Sequence, residues 1–140
     1  MTHFEIPGDP QGKARARTVK GHSYTPQKTV LYENLIKTCF LALDKKETFF
    51  NKEPVEMYIT AFYSIPKSTT KKDRERIKRK ELFPTKKPDA DNIAKVVCDA
   101  LNGIAYHDDT QVVKLTIRKV YTEKEPRVGV TIGLFDGYPF

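Results

Sequence analysis

Residues 55–63 alternate with apolar side chains on both faces: Val55, Met57, Ile59, Ala61 and Tyr63 on one, Tyr58 and Phe62 with Thr60 on the other. A strand that is apolar on both sides belongs in the interior of a sheet, and Pro66 ends this one. Other elements are arranged around it. Phe4 and Ile6 alternate with polar neighbours, as in a short strand. Residues 29–44 carry Val30, Leu31, Leu35, Cys39 and Leu43 at helical spacing. Residues 91–103 predict an amphipathic helix whose buried side is Ile93, Val96, Val97, Ala100, Leu101 and Ile104, stopped by Gly103. Residues 111–121 and 127–134 are alternating runs joined by about five residues around Glu123, which predicts an antiparallel hairpin. The sum is an α+β fold: a single domain, 1–140, with a mixed, mostly antiparallel sheet covered by helices.

The net charge of +7 favours an anionic partner, either nucleic acid or a membrane surface. No apolar run approaches the roughly 20 residues needed to span a bilayer, so the sequence gives no membrane span. Residues 1–5 lack a signal-peptide core. Cys39 and Cys98 sit in helix-like apolar patterns without close pairing, the pattern of reduced thiols in a cytoplasmic protein.

Within this basic chain, residues 89–113 hold five carboxylates (Asp89, Asp91, Asp99, Asp108, Asp109) against one base, Lys95. Clustered like charges repel unless something neutralises them, and a hard divalent cation with oxygen ligands does so. With Pro88 keeping the chain extended, Asp89 and Asp91 point the same way at the helix entrance. If the chain folds back after Gly103 far enough to bring Asp109 to Asp89, three carboxylates converge there and hold one or two Mg²⁺. Asp91, Lys95 and Asp99 stack along one helix face, so Lys95 serves either as an ion-pair partner of these aspartates or as a phosphate contact. The aspartates have plain roles too: Asp91 as a cap or dipole partner, and Asp108 and Asp109 as turn residues. An EF-hand is excluded, because Ala94 stands where its loop requires glycine.

The basic charge collects in two places. Residues 10–31 contain no acid, and in an extended ribbon Lys13, Arg15 and Arg17, followed by Lys20, line up for phosphate contacts. Residues 71–87 hold nine bases (Lys71, Lys72, Arg74, Arg76, Lys78, Arg79, Lys80, Lys86, Lys87) against three acids, on a helix over 71–82 capped by Thr70 with Asp73. One-sided charge of this kind suits DNA phosphates.

The spaced pattern Pro88-Asp89-x-Asp91-Asn92-x-x-Lys95-x-x-x-Asp99-Ala100-Leu101, followed by Asp108-Asp109-x-Gln111-Val112-Val113, resembles the signature of the RusA-type Holliday-junction resolvases. Residues 10–17 with Tyr24-Thr25-Pro26 are similar to that family's basic N-terminal segment. The family comprises small, dimeric, Mg²⁺-dependent endonucleases, often carried by phages and prophages. The resemblance implies Asp89, Asp91 and Asp109 as metal ligands and Lys95 as the catalytic lysine, with Asp99 and Asp108 in supporting places. It implies a homodimer acting on four-way junction DNA in recombination and repair. Two matched nicks on a near two-fold substrate call for two active sites. Each nick leaves a 5′-phosphate and a 3′-hydroxyl.

Three other readings use the same residues. One is a non-catalytic binder of branched or single-stranded DNA whose aspartates cap a helix. Another is a metal-dependent nuclease acting on flaps or other branched DNA, and a third is a nuclease directed at RNA. The C-terminal segment 135–140 is unusually aromatic for a tail, suited to packing on the core, on a second subunit or on DNA.

Overall fold

The doubly apolar run becomes β4 (Val55–Ser64), at an interior position of a four-stranded sheet. A computed structural model describes residues 1–137. In chain order these form β1 (Thr2–Pro7), a small ribbon of β2 (Arg17–Val19) and β3 (His22–Tyr24), α1 (Gln27–Leu41), β4, α2 (Lys71–Lys78), α3 (Ala90–Ala100), β5 (Val112–Thr122) and β6 (Arg127–Leu134). The main sheet runs β1-β6-β4-β5, antiparallel at its first two pairings and parallel between β4 and β5. The domain is α+β, with a mixed and mostly antiparallel sheet.

The expected hairpin between the last two strands does not form. β4 lies between β5 and β6 and pairs with both. The link 123–126 steps over the end of β4, and two strand spacings, about 9.6 Å, are within its reach. Such a link suits a hairpin and a split pair alike. Burial decides between them, because the most apolar strand takes a neighbour on each edge.

α1 and α3 pack on the face where Val55, Met57, Ile59, Ala61 and Tyr63 are buried, joined there by Phe4, Ile6, Val128, Val130 and Ile132. On the opposite face Tyr58, Thr60 and Phe62 are half-buried, and the Arg127 guanidinium lies 3.9 Å from the Phe62 ring centroid. α2 and the segment after it reach the edge of that face, where Ile77 and Phe83 share a groove with Thr60, Phe62 and Arg118. The fully buried side of α1 is Thr29, Tyr32, Ile36 and Phe40, and of the expected stripe Leu35, Cys39 and Leu43 pack half-buried against the same core. Val30 and Leu31 are exposed, because three bulky side chains four residues apart make the broader apolar face. α2 begins as expected, the Thr70 hydroxyl accepting from the Asp73 amide at 3.1 Å, but ends at Lys78.

α3 buries Ile93, Val96, Val97 and Ala100, with Leu101 after it. The chain then turns through Gly103, whose φ of +71° suits glycine. Tyr106 goes into the core and its hydroxyl donates to the Cys98 carbonyl at 2.6 Å. The Gln111 side chain donates to the carbonyls of Phe49 and Glu53 at 2.9 and 3.0 Å and accepts from the amides of His107 and Asp108 at 2.9 and 3.0 Å. That side chain fastens the turn carrying Asp108 and Asp109.

Cys39 and Cys98 are separate thiols, and no described helix is long and apolar enough to cross a membrane. Of the aromatic tail, Phe135 donates its amide to the Pro54 carbonyl at 2.9 Å, and residues 138–140 lie outside the described part.

Gln111→Ala strands the buried Phe49 carbonyl, the part-buried Glu53 carbonyl and two amides at once. A loss of about 1–3 kcal/mol is expected, read as a lower urea midpoint with an unchanged slope.

Candidate active site

Because α3 seals its apolar side on the sheet, its polar side points outward. Asp89 is the N-cap residue. Its carbonyl accepts from the Ile93 amide at 3.1 Å, while its carboxylate takes no part in capping and stays exposed. Asp91 is exposed in the first turn. Lys95, one turn further on, is 62% exposed, with Nζ 3.7 Å from Asp99 Oδ2. Asp91, Ala94, Lys95 and Cys98 line a groove whose other wall is Leu115 and Ile117 of β5, an edge strand.

The return of the chain does not bring Asp109 to the helix entrance. Its amide donates to Asn102 Oδ1 at 2.7 Å, and its carboxyl lies beside that of Asp99. Asp89 and Asp99 are ten residues apart on the helix, about 15 Å along its axis. The expected convergence of Asp89, Asp91 and Asp109 is therefore split within one chain. Asp89 and Asp91 stand at one end of α3, Asp99 and Asp109 at the other, and Lys95 between them. The cause is the anchoring of Tyr106 and Gln111, which holds the turn at the C-terminal end of the helix. Among the described residues, no three His, Cys, Asp or Glu side chains stand close enough to hold a metal ion. The donor chemistry suits a hard divalent cation, but the donor number within a single chain does not.

Asp108 and Asp109 differ in their surroundings. Asp108 is exposed and accepts from the Thr110 hydroxyl at 2.8 Å, which draws its carboxyl below the usual range. Asp109 is half-buried, and burial, reinforced by the Asp99 carboxyl, pushes its own upward. Asp109 is thus the member of the pair that faces α3. Burial, with the Asp109 charge adding to it, pushes the neighbouring Cys98 thiol up to about 11. His107 is exposed.

At the helix entrance the Tyr63 hydroxyl donates to the Pro88 carbonyl at 2.9 Å, and the Lys87–Pro88 peptide is cis. The ammonium groups of Lys86 and Lys119 lie 6.0 and 5.3 Å from the Tyr63 ring centroid. Burial and then the Asp89 charge push the Tyr63 hydroxyl up to about 12.

The basic residues separate into two groups. Lys13 is turned inward: it is 20% exposed, with Nζ 3.1 Å from Glu33 Oε2 and 3.3 Å from Asp99 Oδ2. Arg15, Arg17 and Lys20 are exposed along the ribbon, as are Lys71, Lys72, Arg74, Arg79, Lys86 and Lys87 around α2 and the connector. Arg76 is half-buried and pairs with Asp73 at 3.3 Å, and Arg79 pairs with Glu81 at 3.2 Å. Local sequence does not signal Glu33, Tyr63 or Lys119 as neighbours of the site, since they reach it through tertiary contact.

Residues 7–133 match the family described as Endodeoxyribonuclease RusA, an interval that takes in the ribbon, α3 and the Asp108–Asp109 turn. The chain belongs to the RusA endodeoxyribonuclease family. It is 38% identical over 135 residues to the uncharacterized protein YqaN of Bacillus subtilis (strain 168), covering 92% of this chain and 93% of that protein. It is 34% identical over 80 residues to the Crossover junction endodeoxyribonuclease rusA of Lactococcus phage r1t, covering 56% of this chain and 54% of the phage protein. The resemblance read from residues 88–113 holds at the level of the RusA family.

The upward shift at Asp109 has a defined consequence for stability. A carboxyl with a raised folded-state pKa is harder to ionise in the folded chain. The folded state is therefore penalised once pH rises through that pKa, and not below the unfolded value near 3.9. In metal-free protein, Asp109→Asn is expected to raise the urea midpoint at pH 7 and to leave it unchanged near pH 3.

Proposed function

We propose that this RusA-family chain is an Mg²⁺-dependent, structure-selective endodeoxyribonuclease that resolves Holliday junctions by paired, symmetric nicks. It acts as a homodimer in DNA recombination and repair. The observation that carries the reading is the outward side of α3. Asp89, Asp91 and Lys95 stand exposed on one short helix, with the exposed bases of the ribbon and of α2 elsewhere on the same domain. The name of the phage relative, a crossover junction endodeoxyribonuclease, points to the same substrate.

Among the described residues no three carboxylates of one chain come together, and in this reading a second chain completes the site. The edge strand β5 offers the contact. Val113 and Leu115 are 56% and 44% exposed, and Leu115 shares the groove that holds Asp91 and Lys95. A two-fold pairing there sets Asp89 and Asp91 of one chain against Asp109 of its partner copy, twice over, matching a two-fold junction. Asp89 and Asp91 with the partner copy's Asp109 would hold Mg²⁺, which would supply Lewis acidity and lower the pKa of a bound water. Lys95 brings a positive charge to the scissile phosphate. Arg15, Arg17 and Lys20 on the ribbon, with Lys71, Lys72, Arg74, Arg76, Arg79, Lys86 and Lys87, contact neighbouring phosphates and offset the repulsion between the acids and DNA.

A non-catalytic branched-DNA binder is the second reading, since no three acids among the described residues come together in one chain. Labelled four-way, flap and linear duplex DNA, incubated with and without Mg²⁺, separate the readings. Paired nicks confined to the four-way substrate support resolution, flap cleavage supports a broader branch nuclease, and intact substrates under every cation support the binder. Asp91→Asn is expected to slow cleavage by ~10²-fold or more while junction affinity is kept or tightened, since a repulsive charge is lost. Leu115→Glu is expected to give monomers in sedimentation and to lose cleavage with them. A fully active Leu115→Glu monomer would rule out the two-chain site.

A further inference from the structure

Lys13 makes three contacts from one residue. Its amide donates to the Asn92 carbonyl at 3.1 Å, and its ammonium group bridges Glu33 on α1 and Asp99 on α3. An amine held between two carboxylates in this way is largely neutralised before it can serve a phosphate. Asp99 Oδ2 is shared, lying 3.3 Å from Lys13 and 3.7 Å from Lys95. Lys13 is the closer and more enclosed of the two, so water screens its attraction less. Lys95 is mostly exposed and held at the limit of ion-pair distance, an arrangement it gives up easily.

We propose that Lys13 is a positioning residue for cleavage: it neutralises Asp99 so that the Lys95 ammonium stays available to the phosphate. The inference rests on the nuclease reading above, with Lys95 at the scissile phosphate. Two carboxyls, Asp99 and Asp109, lie side by side next to Lys95. With Lys13 gone, Lys95 is the nearest base left to balance them, and it is drawn back along the helix. Glu33 holds the ammonium of Lys13 from the other side and keeps it half-buried.

The two roles open to Lys13, surface phosphate contact and internal counter-ion, give opposite results in one experiment. Lys13→Met, Lys13→Gln and Lys13→Arg are compared with the unaltered chain on a labelled four-way junction. Single-turnover cleavage is measured with Mg²⁺, and binding is measured over a series of salt concentrations without it. The neutral variants are expected to cleave ~10-fold more slowly or worse, with junction affinity and salt slope unchanged, and Lys13→Arg is expected to recover most of the rate. A weaker affinity with a salt slope shallower by about 0.9 and an unchanged rate assigns Lys13 to a DNA phosphate and overturns the proposal. Full cleavage by the neutral variants overturns it too. So does the failure of both neutral variants to fold, which assigns Lys13 to the scaffold alone. If the unaltered chain cuts no junction under any cation, it is the nuclease reading that fails.

Discussion

The seal between α3 and the sheet is the contact on which the site depends. Ile93, Val96, Val97 and Ala100 are buried on the face that also buries Met57, Ile59 and Ala61. At about 100° of turn per residue, rotating the helix by one position would lift part of this apolar set into water. The direction of Asp89, Asp91 and Lys95 is therefore set by side chains that take no part in chemistry. The hydroxyl of Tyr106 on the Cys98 carbonyl holds the far end of the helix in the same frame.

Electrostatically, the helix surface is a row of alternating sign rather than a single acidic cluster. Carboxylates stand at both ends, Lys95 stands between them, and Lys13 enters from the ribbon beneath Asp99. Among the described residues no three acids crowd together, while Asp99 and Asp109 lie side by side with Lys13 and Lys95 against Asp99.

Much of this was legible in the residues. The 3.6-residue period of α3 and the doubly apolar β4 are properties of single segments, and both elements form where the pattern puts them. The Thr70 cap is local chemistry and appears as read. Relations between segments were less legible. The link 123–126 fits two strand orders, and only competition for the centre of the sheet selects one. The fold-back after Gly103 permits Asp109 to land at either end of α3, and the choice is made by Gln111 reaching the carbonyls of Phe49 and Glu53, some sixty residues earlier in the chain. Lys13 keeps the alternation of a phosphate-binding ribbon with Arg15 and Arg17, yet Glu33 and Asp99 draw it inward.

Gly12 carries a consequence for the ribbon as a whole. A Cβ built on it would come within 2.8 Å of the Asn92 Cβ and 3.2 Å of the Pro88 Cβ, so the backbone rests directly against the start of α3. Lys13 and Ala14, next along, are tied to Glu33 and Thr29 of α1, so the arm that follows is seated on both helices. The place of the arginines beyond it is therefore set by how these two helices sit together. Bulk at this one position would prise the arm off the start of α3 and shift the basic residues it carries.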